Sequence, residues 1–245
     1  MTQIQQLAQC INESSSTVFF GGAGVSTESG IPDFRSESGL YRAQQVYGYP
    51  PEELLSNRFF KRHTELFFRY YRENLIARDA RPNAAHLTLA KWEARGLLRA
   101  VVTQNIDGLH QAAGSKNVFE LHGSNWRQVC VKCRRKYGLD YILAQEGVPL
   151  CAACGGVVRP DVVLYGEQLD DEVVSAAVNA IAGAEMLIVG GTSLAVYPAA
   201  GLLRYFNGER LVLINKSETP YDTQAQLVIR DSIGVVLGEA YAAGA

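Results

Sequence analysis

Apolar positions along the chain fall into two periods. Ile4, Leu7, Ala8 and Ile11 recur at i, i+3, i+4 and i+7, which predicts one helix face ending near 12–16. Short apolar runs at 18–20, 98–103, 118–121, 161–167, 186–189, 211–214 and 227–229 predict strands, most of them buried. Helical stretches separate them. One starts at Glu52 behind Pro50-Pro51, an aromatic-rich one runs over 59–76, and another runs from Pro82-Asn83 to Gly96. Asp170 caps one to about Ala182, Pro198 opens the next, and one closes the chain from Ile233. Strands that alternate with helices predict an α/β protein with a doubly wound, mostly parallel, Rossmann-like sheet. Ser36 to Tyr49 is polar and reads as a loop of the length used for lids.

Three of these strands end in polar or glycine-rich turns, after Phe20, Thr103 and Val189. Ligands of open α/β sheets bind at the carboxyl ends of strands. Gly21, Gly22 and Gly24 let backbone approach a ligand closely, and Ser26-Thr27 is placed to start a short helix whose N–H groups face an anion. Thr27 stands where the dinucleotide fingerprint has its third glycine, so a plain tight turn competes on these residues alone. Pro32-Asp33-Phe34-Arg35 then sets an acid, a ring and a guanidinium beside the turn.

Composition bounds the partners. The net charge of −2 over 245 residues argues against the whole molecule being a polyanion binder. No apolar run nears the roughly 20 residues that span a bilayer, and Met1-Thr2-Gln3 opens without a basic signal-peptide region. The expectation is a cytoplasmic protein with no membrane partner. Four of five cysteines form Cys130-x-x-Cys133 and Cys151-x-x-Cys154, the spacing of a tetrathiolate zinc ribbon. Four sulfurs leave no open position, so the zinc is expected to be structural. The fifth, Cys10, reads as a small core residue. Arg127, Lys132, Arg134, Arg135 and Lys136 make this module basic, but no interleaved aromatics support base stacking, so nucleic acid is not the expected partner. Of four histidines, His63, His86 and His110 fall inside helical patterns. His122, at a strand end beside Gly123, is the candidate base, since imidazole titrates near neutrality.

The run 22–35, G-A-G-V-S-T-E-S-G-I-P-D-F-R, resembles the signature of the sirtuins, NAD-dependent protein-lysine deacylases. T-Q-N-I-D at 103–107, E-L-H-G at 120–123 and G-T-S-L at 191–194 follow in family order. The resemblance implies removal of an acyl group, acetyl first, from lysine of a protein or peptide, giving nicotinamide and O-acyl-ADP-ribose. It assigns NAD to Gly22, Ala23, Gly24, Thr27, Asp33, Phe34 and Arg35, to Gln104, Asn105, Ile106, Asp107 and His122, and to Gly191, Thr192, Ser193, Asn215, Lys216 and Ile233. His122 is implied as the general base, and Asn105 orders water. Ile106 and Asp107 are implied to hold the nicotinamide carboxamide. Val163, Leu164, Tyr165 and Val196 are implied to bind the substrate peptide.

The aromatic helix is implied to line the acyl tunnel through Phe68 and Tyr71. Neither is a cation, so an anionic acyl group would be buried unpaired there, which predicts a neutral one. The expected large domain is 1–37, 78–125 and 160–245, with 38–77 and the zinc module 126–159 as the small one. An ADP-ribosyltransferase on the same site, and a non-enzymatic NAD- or nucleic-acid-binding module, stay open at this level.

Overall fold

The computed structural model describes residues 1–32 and 43–244. The expectations placed on Asp33, Phe34 and Arg35 lie outside the described residues. The strands are β1 Thr17–Gly21, β2 Leu98–Thr103, β3 Val118–Glu120, β4 Gly123–Cys130, β5 Lys136–Gly138, β6 Val158–Val162, β7 Met186–Gly190, β8 Arg210–Ile214 and β9 Leu227–Ile229. Six form one sheet in the order β3-β2-β1-β7-β8-β9, with every neighbouring pair parallel. That is a doubly wound Rossmann-type order, and it reverses direction between β1 and β7. The crevice for a ligand therefore opens above Gly21 and Gly190, which are register partners.

Side chains alternate across the sheet and build one apolar layer on each face. Phe19, Val101, Ile188 and Val212 pack on one side against the helices Gln3–Glu13, Ala84–Ala94 and Ile233–Ala243. Val18, Phe20, Val102, Leu187 and Leu213 pack on the other against Asp171–Ala182 and the 3₁₀ turn Ala199–Tyr205. The central strands β1 and β7 are buried along their whole length, so they read as continuous apolar runs.

A second sheet, antiparallel and ordered β5-β4-β6, sits beside the first. Its core is aromatic. Phe59, Phe60, Phe67, Phe68, Tyr70 and Tyr71 pack with Leu139, Ile142 and Val158. Edge-to-face contacts such as Phe67–Phe68, with ring centroids 5.4 Å apart, order this cluster.

Several expectations change. The aromatic segment is two helices, Asn57–Arg62 and Thr64–Asn74, because His63 leaves helical geometry at φ −133°. Ser56 caps the first by accepting from the Phe59 N–H. Ser26-Thr27 starts no α-helix; 3₁₀ turns Ala23–Val25 and Thr27–Ser29 lie there instead. Of the expected loop at 36–49, residues 43–47 are helical. The strand expected at 161–167 is β6, which ends at Val162, and the next residues are held singly. Val163 N–H donates to the His122 carbonyl, and Tyr165 N–H to that of Leu55.

Candidate active site

Three strand-end turns are tied to one another before any ligand is considered. Gly24 N–H donates to the Gly191 carbonyl at 2.8 Å, Gln104 N–H to Gly21 at 3.0 Å, and Gly191 N–H to Ile214 at 3.1 Å. The glycines serve this packing. A Cβ on Gly24 would lie 2.8 Å from Gly191 Cα, and one on Gly22 would lie 2.8 Å from Thr192 Cβ. Their first role is thus to let two turns meet. The 103–107 stretch joins the same knot, since Gln104 Nε2 donates to Thr192 Oγ1 at 3.1 Å.

Above this knot lies a cavity of about 820 Å³. Its size suits a cofactor-sized ligand. Gly22, Ala23, Gly24 and Thr27 line it from the first turn, and Gln104, Asn105, Ile106 and Asp107 from the second. Gly191, Thr192, Ser193, Val196, Asn215, Lys216 and Ile233 line it from segments of the large sheet, and His122, Val163, Leu164 and Tyr165 from beside the small one. The sequence placed these residues along almost the whole chain, and the fold brings them to one cavity.

Phe68 and Tyr71 are the exceptions: neither is among the cavity's lining residues. Both are buried in the aromatic core of the small sheet, with Tyr71 OH donating to Asn125 Oδ1. The argument for a neutral acyl group drawn from them loses its premise. A position three residues along a helix fixes a face, but which face meets the cavity is decided by packing.

His122 is half-buried, and its Nδ1 lies 2.9 Å from the Gln104 carbonyl. A carbonyl only accepts, so Nδ1 carries the hydrogen and Nε2 keeps a free lone pair. Burial holds the imidazole below its usual range, opposed by the bond to that carbonyl. The ring is therefore neutral near pH 7 and competent to take a proton.

Asp107 sits in a polar triangle. Its Oδ2 accepts from Ser26 Oγ at 2.7 Å and its Oδ1 from Leu109 N–H at 2.9 Å, and Asn105 Nδ2 donates to Ser26 Oγ at 3.1 Å. Ser26, Asn125 and Trp126 also line the cavity. Asn125 and Trp126 were not singled out from sequence, and Ser26 was read only as a helix start facing an anion. Its place next to Thr27 in the first motif was the signal that it belonged to the site.

The four paired cysteines converge. Their sulfurs lie within 4.8 Å of one another, with Cys130–Cys154 at 3.5 Å and Cys133–Cys151 at 3.6 Å. A tetrahedral zinc with bonds of about 2.3 Å requires sulfurs about 3.8 Å apart, so the set fits one zinc ion with no position left for a substrate.

The Sir2 family model matches residues 22–198. A protein of Clostridium acetobutylicum named NAD-dependent protein deacetylase is 61% identical over 238 residues, covering 97% of each chain. One of Clostridium perfringens with the same name is 58% identical, covering 97% of this chain and 98% of its own. Among solved structures, a Sir2 with a p53 peptide and NAD+ superposes with a TM-score of 0.86 at 40% identity, over 97% of this chain and 96% of that one. Another, bound to acetylated peptide, gives 0.84 at 39%, over 97% and 96%. With the switch-point cavity, the neutral imidazole and the four-thiol cluster already in place, these matches make the chain a member of the Sir2 family.

Proposed function

We propose that the cavity between the two sheets binds NAD along the three strand-end turns and an acylated lysine from the side of Val163 and Val196. The protein is an NAD-dependent protein-lysine deacetylase. The observation that carries this reading is His122, with Nδ1 fixed on the Gln104 carbonyl and Nε2 left as a base. The residues present suit the cosubstrate. Backbone at Gly22–Gly24 and Gly191–Ser193 suits phosphate and ribose, Asn215, Lys216 and Ile233 suit the adenosine end, and Asp107 and Ile106 suit a carboxamide. When bound, NAD supplies an electrophilic ribose carbon and nicotinamide as its leaving group.

The chain supplies the rest. Asp107, held by Ser26 and Leu109, accepts from the carboxamide N–H. Asn105 orients water. His122 takes a proton from a ribose hydroxyl at Nε2. Val163 N–H holds the His122 carbonyl at 2.9 Å, so the strand offered to the peptide and the base move as one piece. Partners are acetylated or longer-acylated peptides, and Val163, Leu164, Tyr165 and Val196 suit pairing with their backbone. The acetyl preference rests on the relatives' names, not on Phe68 and Tyr71. We assign the ion to a structural role and divide the chain into a large domain of 1–37, 78–125 and 160–245 and a small one of 38–77 and 126–159. The third apolar cluster, drawn from 43–76 and 130–164, supports that division. No described helix is long and apolar enough to cross a membrane. A cytoplasmic setting agrees with four thiols kept reduced for a metal.

Mass spectrometry of an acetyl-lysine peptide with and without NAD tests this. Acetyl loss should require NAD, yield free O-acetyl-ADP-ribose, and fall by about 10²- to 10⁴-fold in His122→Ala. ADP-ribose attached to protein instead, or full activity in His122→Ala, would overturn it.

A further inference from the structure

Trp126 has no part in the sequence motifs, and the residue is 48% exposed at the rim of the cavity. A tryptophan so exposed is not there to fill the core. Its indole N–H donates to the Asp107 carbonyl at 2.7 Å. The residue before it does the same one step along: Asn125 N–H donates to the Ile106 carbonyl at 2.9 Å. Two consecutive residues of β4 therefore clamp two consecutive carbonyls of the loop that carries Ile106 and Asp107. The ring also packs closely on Gly108. A Cβ there would come within 2.6 Å of Trp126 Cδ1, and Gly108 is left-handed at φ 74°.

The clamp has a rigid base. Asn125 is buried, and its side chain donates to the Leu75 carbonyl at 2.7 Å and accepts from Tyr71 OH at 3.1 Å. Arg127, on the other side, is held by Glu120 at 2.6 Å and Asp161 at 3.3 Å. From the opposite direction the Asp107 carboxylate is held by Ser26 and Leu109. Side chain and backbone of Asp107 are thus fixed from different parts of the fold, Ser26 from the large sheet and Trp126 from the small one.

We propose that Trp126 is a positioning residue for the nicotinamide end of the site, fixing the Asp107 backbone so that its carboxylate keeps its bearing on the carboxamide. This rests on the reading that Asp107 meets nicotinamide. Loss of the indole N–H frees the Asp107 carbonyl to turn to solvent and loosens the loop. Binding of free nicotinamide and of NAD weakens, while the peptide side, built on Val163 to Tyr165, is untouched.

The test uses the full-length, zinc-loaded enzyme. Trp126→Phe keeps a ring over Gly108 and removes the donor. Benzothienylalanine at the same position keeps the bicyclic shape and removes only the N–H, which covers the case that the phenyl ring alone does not hold the fold. The expected result is an inhibition constant for nicotinamide and a KM for NAD each raised about three- to tenfold, the worth of one hydrogen bond. KM for the acetyl peptide should stay within about twofold, with zinc content at the wild-type level. Asp107→Asn is run beside them. If it weakens nicotinamide inhibition while both Trp126 variants leave it unchanged, the positioning role is wrong. If Asp107→Asn itself leaves nicotinamide inhibition unchanged, the assignment of the loop to nicotinamide is what failed, and the positioning role falls with it.

Discussion

The two sheets are stabilised by different means. The parallel sheet is covered on both faces by aliphatic layers, and its central strands have no exposed residue. The antiparallel sheet has three strands, with exposed residues on β4 and β5, and an aromatic cluster in place of a second layer. A small sheet buries too little apolar surface to stand alone, and the four thiols at its far end supply what packing does not. His122, the proposed base, stands between β3 of the first sheet and β4 of the second. The proposed reaction thus lies where the aliphatic sheet meets the one that carries the four-thiol cluster.

The largest expected effect breaks that comparison outright. Removing zinc with a chelator, or replacing Cys133 with Ala, should release stabilisation on the order of 10 kcal/mol from the small sheet. Hydrogen exchange should then accelerate over Gly123–Cys130 and Val158–Val162 and stay slow over Thr17–Gly21 and Met186–Gly190. Equal loss in both sheets would show one cooperative unit.

Acid probes the other half. His86 and His110 are fully buried against the large sheet with ring centroids 4.7 Å apart, and burial lowers them to about 4 and about 3. For His86 the nearby Asp107 charge opposes the shift, and for His110 the neighbouring His86 adds to it. Below the unfolded value of about 6.5 the unfolded chain binds more protons than the folded one. Their contribution is therefore complete above about 6.5 and is lost as pH falls toward about 4 and then about 3. The unfolding free energy from urea melts should drop by several kcal/mol between pH 7 and pH 4. His110→Leu should flatten that slope, and an unchanged slope would remove the pair from the explanation.

The smallest effect sharpens the contrast. Asp170 caps Asp171–Ala182 through bonds of 3.0 Å to the N–H groups of Glu172 and Val173. Asp170→Ala should cost about 1 kcal/mol in denaturant melts and leave zinc content unchanged. Concurrent zinc loss would mean that the halves share their stability.

Much of this was legible in the chain. The runs 98–103 and 227–229 match β2 and β9 residue for residue, because short apolar-rich runs mark strands that are mostly buried, Arg99 being the one exposed position of β2. The helix behind Asp170 and the one behind Asn83 were readable from their caps. The zinc set followed from spacing alone, since two C-x-x-C pairs have few other uses. β4 and β5 carry no comparable signal. β4 mixes exposed and buried residues without a steady alternation, β5 is three residues with none buried, and β4 pairs with both β5 and β6.

What the sequence determined by itself was local: the runs, the caps, the cysteine spacing, the order of the motifs and the identity of the one histidine at a strand end. These depend on neighbours within a turn or a strand, where periodicity and propensity act. Only the tertiary structure decided which faces meet. It put Phe68 and Tyr71 into the core and not the cavity, gave Gly22 and Gly24 their work against Thr192 and Gly191, and brought Trp126 onto the Asp107 carbonyl. Each of these is a contact between segments far apart in the chain. It is set by how two sheets pack, which no window of sequence contains.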